Sequence, residues 1–132
     1  MNLLFRKSGL SMRFTLAIVA LVSMAVSPAW AEEQAVVVEV NYLINAVSES
    51  GCSFVRNGDE HTASEAVDHL QMKARRGKRY YDTADEFIDR IASKSSWSGK
   101  PYMIQCIGKP AVKAADWFTR VLVGYRASSE EA

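Results

Sequence analysis

The sequence has few of the residues and motifs that assign a function directly. It contains 2 cysteines and 2 histidines among 132 residues, and its formal net charge is +1. The cysteines are not spaced as C-x-x-C, the chain has no G-x-S-x-G, and the serine-rich stretch 93–102 has no S-x-x-K. These absences exclude the usual sequence marks of a thiol redox pair and of an activated serine. The sequence therefore indicates a compartment and a fold, but no reaction.

The first 31 residues are typical of an export signal. Three basic residues precede the uncharged run 14–26, and Ala29-Trp30-Ala31 offers the small-x-small pattern that signal peptidase accepts. A membrane-spanning helix needs about 20 apolar residues, so we interpret 1–31 as a cleavable signal peptide and expect no membrane span after cleavage. Because no Arg-Arg pair precedes the apolar run, the predicted route is the general secretory one, to the periplasm.

The rest of the chain predicts a single, slightly acidic domain. Removal of Arg6, Lys7 and Arg13 leaves 13 basic and 15 acidic residues, a net charge of −2. This charge excludes a globally basic nucleic-acid binder, so no nucleic-acid partner is expected. We predict one domain over 32–127 and a disordered tail over 128–132.

Cys52 and Cys106 are the two cysteines of the chain. In an exported protein an even count favours a disulfide, which for a loop of this length would stabilise the fold by about 4 kcal/mol on the chain-entropy account. A redox pair and a thiolate metal site are the alternatives. A redox pair usually needs closer spacing, and a metal site needs more ligands.

Helical periodicity is the main local signal. Over 35–48 it predicts a helix whose apolar positions are Val36, Val40, Leu43, Ile44 and Val47. Two further helices are predicted to begin at capping boxes, Thr62-Ala-Ser-Glu65 and Thr83-Ala-Asp-Glu86. A last helix is predicted from about Ala111 to Tyr125.

Two short strands are predicted between these helices. One covers 52–56 and stops at Asn57-Gly58, and the other covers 102–107 and stops at Gly108. If they pair antiparallel, the two cysteines face each other. The sequence therefore predicts an α+β fold, a small mainly helical domain in the order α-β-α-α-β-α, with a short two-stranded antiparallel sheet and one disulfide.

His61, Glu65 and His69 are spaced i, i+4, i+8, which suggests a zinc or copper site at first sight. Three ligands so spaced on one helix span about 12 Å, too far for one ion. His61 also precedes the cap of the helix, and Glu65 is its capping residue. We therefore predict no metal site and no cofactor.

The turn after the first strand is the best candidate binding surface. Arg56, Asn57, Asp59 and His61 are placed there, although turn chemistry alone also explains Asn57 and Asp59. The stretch 95–100, which ends at Lys100, flanks the other strand and is expected to lie near this turn.

A second candidate surface is a run of five basic residues in seven, for which the partner would be an anionic envelope component such as a lipid headgroup or lipopolysaccharide phosphate. The alternative is a solvated cluster that complements the dipole of a helix C-terminus. The five residues are Lys73, Arg75, Arg76, Lys78 and Arg79.

Three ordered stretches resemble a known family. They are "FVRNG…H…EAVDHL", "TADEFIDRIASKSS" and "SGKPY", and they resemble the YfeK-like proteins, small exported bacterial proteins with a domain of unknown function. The resemblance covers about residues 40–123. It implies export and a small helical α+β domain, and a cysteine before and after these stretches also suits it. It implies no activity, cofactor or catalytic residue.

The sequence thus favours an uncharacterised exported protein, a non-enzymatic binding or interaction domain of the cell envelope. Its partner would be an envelope protein or an anionic envelope component. One alternative is a small envelope hydrolase that uses Glu65 or His61 as general base, and another is a toxin-neutralising or inhibitor protein. The hydrolase requires converging, partly buried ionisable groups in a pocket.

Overall fold

The computed structural model describes residues 27–132. The predicted signal peptide therefore lies outside the described residues, except for its last five positions. Within the described range, none of the helices combines the length and apolar character needed to cross a bilayer.

Helix α1 (Pro28–Glu49) is the longest element of the described range and one wall of the core. Proline suits the first turn of a helix because that position has no intrahelical bond to lose. The five apolar positions predicted from periodicity are all buried, which confirms the predicted face. The helix starts seven residues before its predicted beginning at 35, and residues 28–35 are exposed. Gly51, with φ of 64°, follows its end.

Four antiparallel strands form the sheet, in the spatial order β2-β1-β3-β4. They are β1 (Ser53–Arg56), β2 (Asp59–His61), β3 (Met103–Gln105) and β4 (Val112–Lys113). The predicted antiparallel pairing of the first and second strands is confirmed between β1 and β3, where Phe54 faces Ile104. The disulfide between Cys52 and Cys106 is confirmed as well.

The prediction of a two-stranded sheet was wrong, because both edge strands lack a strand-like sequence pattern. β2 consists of Asp59, Glu60 and His61 and has no apolar residue; the first two are exposed and His61 is half-buried. Asn57 and Gly58, with φ of 52° and 89°, form a two-residue hairpin turn that folds β2 back onto β1. β4 has only two residues, which we had assigned to the start of the last helix.

The remaining helices close the other side of the core. They are α2 (Ala63–Arg76), α3 (Ala84–Phe87), which continues as a π-helical turn (Ile88–Ala92), and α4 (Ala114–Glu130); a 3-10 turn (Lys78–Tyr80) follows α2. The fully buried side chains Phe87, Phe118, Leu43, Ile104, Leu122 and Val47 come from α1, α3, β3 and α4. The core therefore lies between the helices and one face of the sheet, and the predicted mainly helical α+β class is confirmed.

Both predicted helix starts carry threonine caps. Thr62 accepts the Glu65 N–H, and Glu65 accepts the Thr62 N–H at 2.8 Å, which completes the capping box. At α3, Thr83 accepts from Glu86 N–H. At the other end of the chain, α4 continues to Glu130, where we had predicted a disordered tail from 128. The hydroxyls of Ser128 and Ser129 donate to the Tyr125 carbonyl in this last turn.

Candidate functional site: a basic groove

A groove of about 870 Å³ opens between the β1–β2 hairpin, the C-terminal half of α2 and the loop 93–101. Such a volume is in the range of small-molecule sites. Five cationic side chains line it, and within the described residues no carboxylate does. The five are Arg56, Lys73, Arg76, Arg90 and Lys94. We call this feature the basic groove.

The hairpin turn and the loop 93–101 are held together by side-chain hydrogen bonds. Ser98 Oγ donates to Asn57 Oδ1 at 2.6 Å, and Asn57 Nδ2 lies 3.5 Å from Ser95 Oγ. Ser95 is buried and accepts the backbone N–H groups of Trp97 and Ser98. The two segments that we expected to be neighbours therefore meet, and Asn57 is the residue that joins them.

Lys73 lies at the floor of the groove. It is 8% exposed, whereas we had placed it in an exposed basic cluster. Its Nζ donates to the Lys94 carbonyl at 2.7 Å and to the Tyr102 hydroxyl at 3.3 Å, and it lies 4.9 Å from the centroid of the Tyr102 ring. Both acceptors are neutral. Burial, with the charges of Arg56 and Lys94, lowers the pKa of Lys73 to about 8.

His69 and Tyr102 extend this network by one step. His69 Nε2 is 3.3 Å from the Tyr102 hydroxyl. Burial, followed by the charges of Arg56 and Lys73, lowers the pKa of His69 to about 4, and burial raises the pKa of Tyr102. At neutral pH the imidazole and the phenol are thus both uncharged. Neither one balances the charge of Lys73.

Within the part of the chain that the structure describes, most cations of the groove have no carboxylate partner. Arg90 is the exception, because its Nη2 lies 2.8 Å from Glu86 Oε1. Between residues 27 and 132, no carboxylate lies within 4.0 Å of the side-chain nitrogens of Arg56, Lys73, Arg76 or Lys94. Charges buried in proteins are usually paired. The groove is therefore suited chemically to an anion.

The predicted turn residues occupy different positions around this site. Arg56 and Asn57 line the basic groove. Asp59 is exposed and pairs in register with Arg56 across the hairpin. Lys100 is exposed at the end of the loop, where its carbonyl accepts the Ser95 N–H. Neither Asp59 nor Lys100 is among the residues that line the groove.

His61 instead lines an adjacent cavity of about 30 Å³ beneath β1, together with Glu65 and His69; this cavity shares Arg56, His69 and Tyr102 with the groove. Its Nε2 is buried without a hydrogen-bond partner. The cavity has room for one water molecule. Within the described residues, no three His, Cys, Asp or Glu side chains are grouped so that they could hold a metal ion.

Glu65 is committed to the cap of α2. The backbone N–H of Thr62, followed by the Thr62 hydroxyl, holds the pKa of Glu65 below its ordinary value. A general base needs a pKa near the working pH, so this environment does not favour Glu65 in that role.

The predicted basic run is dispersed over different faces. Arg76 lines the basic groove, while Arg75 and Lys78 line a second depression between α1 and α2. Arg79 lies over the ring of Tyr80, 4.8 Å from its centroid. Helix geometry separates neighbours in sequence, since successive residues do not share a face. The run is therefore not one continuous patch.

A family model described as a family of unknown function, DUF5329, matches residues 34–126. The chain belongs to this family. The uncharacterized protein YfeK of Salmonella typhimurium is 44% identical over 88 residues, which cover 65% of this chain and 72% of that protein. These findings confirm the resemblance to YfeK-like proteins. No solved structure matches the chain. All elements that border the basic groove fall within the part that the DUF5329 family model matches.

Two groove residues of this DUF5329 chain, Lys94 and Tyr102, were missed as site candidates in the sequence. Trp97 was included only as part of the stretch 95–100, and His69 was considered only as a metal ligand. One signal was available for the position of Lys73, which follows the buried residues Ala66 and Leu70 at helical spacing. A lysine on the apolar face of a helix is a candidate for a buried charge. The others come together through tertiary contacts between distant segments, which leave no local pattern.

Proposed function

We propose that this protein is a non-enzymatic binding protein of the bacterial cell envelope, and that it holds an anionic envelope component in the basic groove. The observation that carries the proposal is Lys73, a cation 8% exposed with two neutral acceptors and, within residues 27–132, no carboxylate within 4.0 Å of its Nζ. Removing an ion from water is costly unless it is paired. An anion in the groove would supply the missing charge.

The neighbouring cations support the same ligand class. Arg56 and Lys94 lower the pKa of Lys73 through their positive charge, so the three groups repel one another. An anion placed among them would relieve this repulsion and gain three attractive interactions. The hydrogen bonds between the loop and the hairpin also set the backbone positions that carry Arg56 and Lys94 before binding, which reduces the ordering cost of association.

The envelope location is supported by the disulfide and by the N-terminal sequence. Disulfides persist in oxidising compartments such as the periplasm. The predicted cleavage after Ala31 would remove the first four residues of α1, all exposed, and the first buried residue of that helix is Val36. Cleavage would thus leave the core intact.

The binding half is tested by calorimetric titration with tripolyphosphate as the probe. The protein is expressed as the full chain and purified as the cell processes it. Arg56→Ala and Lys94→Met should each weaken binding about tenfold, while Arg120→Ala and Lys109→Met, which change exposed cations outside the groove, should change it less than twofold. If the two control variants lose as much affinity for tripolyphosphate as the two groove variants, or if the wild-type protein shows no saturable binding, a defined anion site is contradicted.

The export half is tested by cell fractionation and by the mass of the purified protein. The expected product begins at Glu32 and is found in the periplasmic fraction. A product that retains Met1 and stays in the cytoplasm would refute this half of the proposal.

A further inference from the structure

We propose that the anion bound in the basic groove is an acidic saccharide, a sugar that carries a carboxylate or a phosphate. This inference rests on the proposed function and adds the chemical class of the ligand. The observation behind this inference is a second set of groups in the groove. These are two exposed aromatic rings, which the binding of a simple anion does not use.

Trp97 and Tyr80 border the groove from two different segments. Trp97 is 96% exposed in the loop 93–101, and Tyr80 is 50% exposed in the 3-10 turn after α2. Single exposed apolar residues are common on protein surfaces. Two exposed aromatic residues on one groove that is also lined by cations are a more specific combination.

The backbone that carries each ring is held by hydrogen bonds. Ser95 Oγ accepts the Trp97 N–H at 3.3 Å, and the Ser95 carbonyl accepts the Gly99 N–H at 2.9 Å. On the other side, Arg90 Nη1 donates to the Tyr80 carbonyl at 2.9 Å. A fixed backbone under each ring favours binding, because less order is lost there when a ligand arrives.

A sugar ring uses both kinds of group. One face of a pyranose presents C–H bonds, which pack on a flat aromatic ring, while its hydroxyls and any acidic substituent need hydrogen-bond donors and cations. The groove offers the aromatic face of Trp97 together with the cationic groups of Arg56 and Lys94. Exposed Ser96 adds a hydroxyl to the same lining.

Other anionic partners use these groups less completely. A flat membrane surface would reach Trp97 and the exposed cations but not Lys73, which is buried at the floor of the groove. An acidic peptide that binds by strand addition needs a free strand edge. The residues that line the groove come instead from one end of β1, from α2, from the 3-10 and π-helical turns and from loops. A simple inorganic anion would leave both aromatic rings unused.

The test is calorimetric titration of the wild-type protein, Trp97→Ala and Ile107→Ala with four probes. Ile107 is the matched control, because it is 95% exposed and lies outside the groove. The probes are the disaccharide of N-acetylglucosamine and N-acetylmuramic acid, N,N′-diacetylchitobiose, inorganic phosphate, and vesicles that contain phosphatidylglycerol. Chitobiose keeps two amino-sugar rings but lacks the carboxylate.

We expect the carboxylated disaccharide to bind at least tenfold more tightly than chitobiose and than inorganic phosphate. Trp97→Ala should weaken the disaccharide at least fivefold and leave phosphate binding within twofold, and Ile107→Ala should change neither. Glucosamine 1-phosphate is an additional probe that distinguishes a phosphate from a carboxylate as the acidic group of the ligand. If it binds more tightly than the carboxylated disaccharide, the ligand is a phosphorylated envelope sugar of the same class.

Three results would overturn the saccharide inference while leaving the anion site in place. They are a Trp97→Ala variant that binds the disaccharide like wild type, phosphate binding as tight as that of the acidic sugars, and binding to vesicles without binding to soluble sugars. If none of the anionic probes binds the wild-type protein, the proposed function fails as well.

Discussion

Because the charge of Lys73 has no counter-charge among the described residues, we predict that the free energy of unfolding rises with pH as Lys73 loses its proton. A lysine paired with a carboxylate would show the opposite dependence. Burial, together with the charges of Arg56 and Lys94, lowers the pKa of Lys73 from 10.5 to about 8. Between these two values the unfolded chain binds more protons than the folded one, so stability rises with pH. The charge therefore destabilises the fold below about pH 8, and this penalty is relieved as the pH approaches 10.5.

The size of the effect follows from the pKa difference. One pKa unit corresponds to about 1.4 kcal/mol, which would give roughly 3 kcal/mol for a site without water. Lys73 borders an open groove in which solvent screens its charge, and screening reduces electrostatic contributions to stability. We therefore expect about 1–2 kcal/mol.

The assay compares the wild-type protein with Lys73→Met, which keeps the length of the side chain and removes the charge. Urea unfolding at intervals from pH 7 to 10.5 gives the difference in free energy of unfolding, wild type minus variant. This difference should increase by about 1–2 kcal/mol between pH 8 and 10.5. The hydrogen bonds lost with Nζ shift the difference by a roughly constant amount and do not alter its slope.

Two controls accompany this measurement. Lys109→Met changes an exposed lysine outside the groove and should give no such rise. Saturating tripolyphosphate should flatten the rise for the wild-type protein, because a bound anion moves the pKa of Lys73 back toward its ordinary value. A flat difference without ligand, or one that falls as the pH increases, would refute the description of Lys73 as a cation without counter-charge.

Two further predictions concern the scaffold. Replacing Cys52 and Cys106 together by alanine should lower the free energy of unfolding in urea by up to about 4 kcal/mol, since it releases a cross-link over 54 residues; an unchanged unfolding midpoint would contradict this. Gly77→Ala should lower it by about 1–3 kcal/mol, because a Cβ there would lie 2.5 Å from Ile91 Cδ1 and 2.9 Å from the Lys73 carbonyl oxygen. Gly124→Ala is the matched control on α4, where a Cβ would meet nothing within 4 Å, and it should raise the free energy of unfolding by up to about 1 kcal/mol; equal effects at both glycines would rule out the steric explanation.

The parts of the fold that were predictable are those with a local cause. The apolar spacing of α1, the threonine caps of α2 and α3 and the positive-φ pair Asn57-Gly58 each act within a few residues, so the sequence displays them. The disulfide was predictable from the even cysteine count of a chain with a predicted export signal. The strands β1 and β3, which lie next to the two cysteines, were predictable from their strand-like pattern.

The missed parts depend on long-range pairing. The edge strand β2 and the two-residue β4 are held by hydrogen bonds to β1 and β3, not by an alternating apolar pattern. The basic groove has the same origin, because its cations come from β1, α2, the π-helical turn and the loop 93–101. In sequence the strongest basic signal was the run 73–79, and only Lys73 and Arg76 of its five cations line the groove.

Asn57 shows why a predicted binding residue and a ligand contact are different things. Its backbone makes the hairpin turn, and its side chain holds Ser98 and Ser95 in the loop that carries Trp97. Replacing it would displace this loop and weaken binding even if its amide never touches the ligand. Arg56 and Lys94, in contrast, make no ion pair within the described residues and have their charge available to a ligand. We therefore assign Asn57 a positioning role and expect the ligand contacts to come from the cations on either side of it.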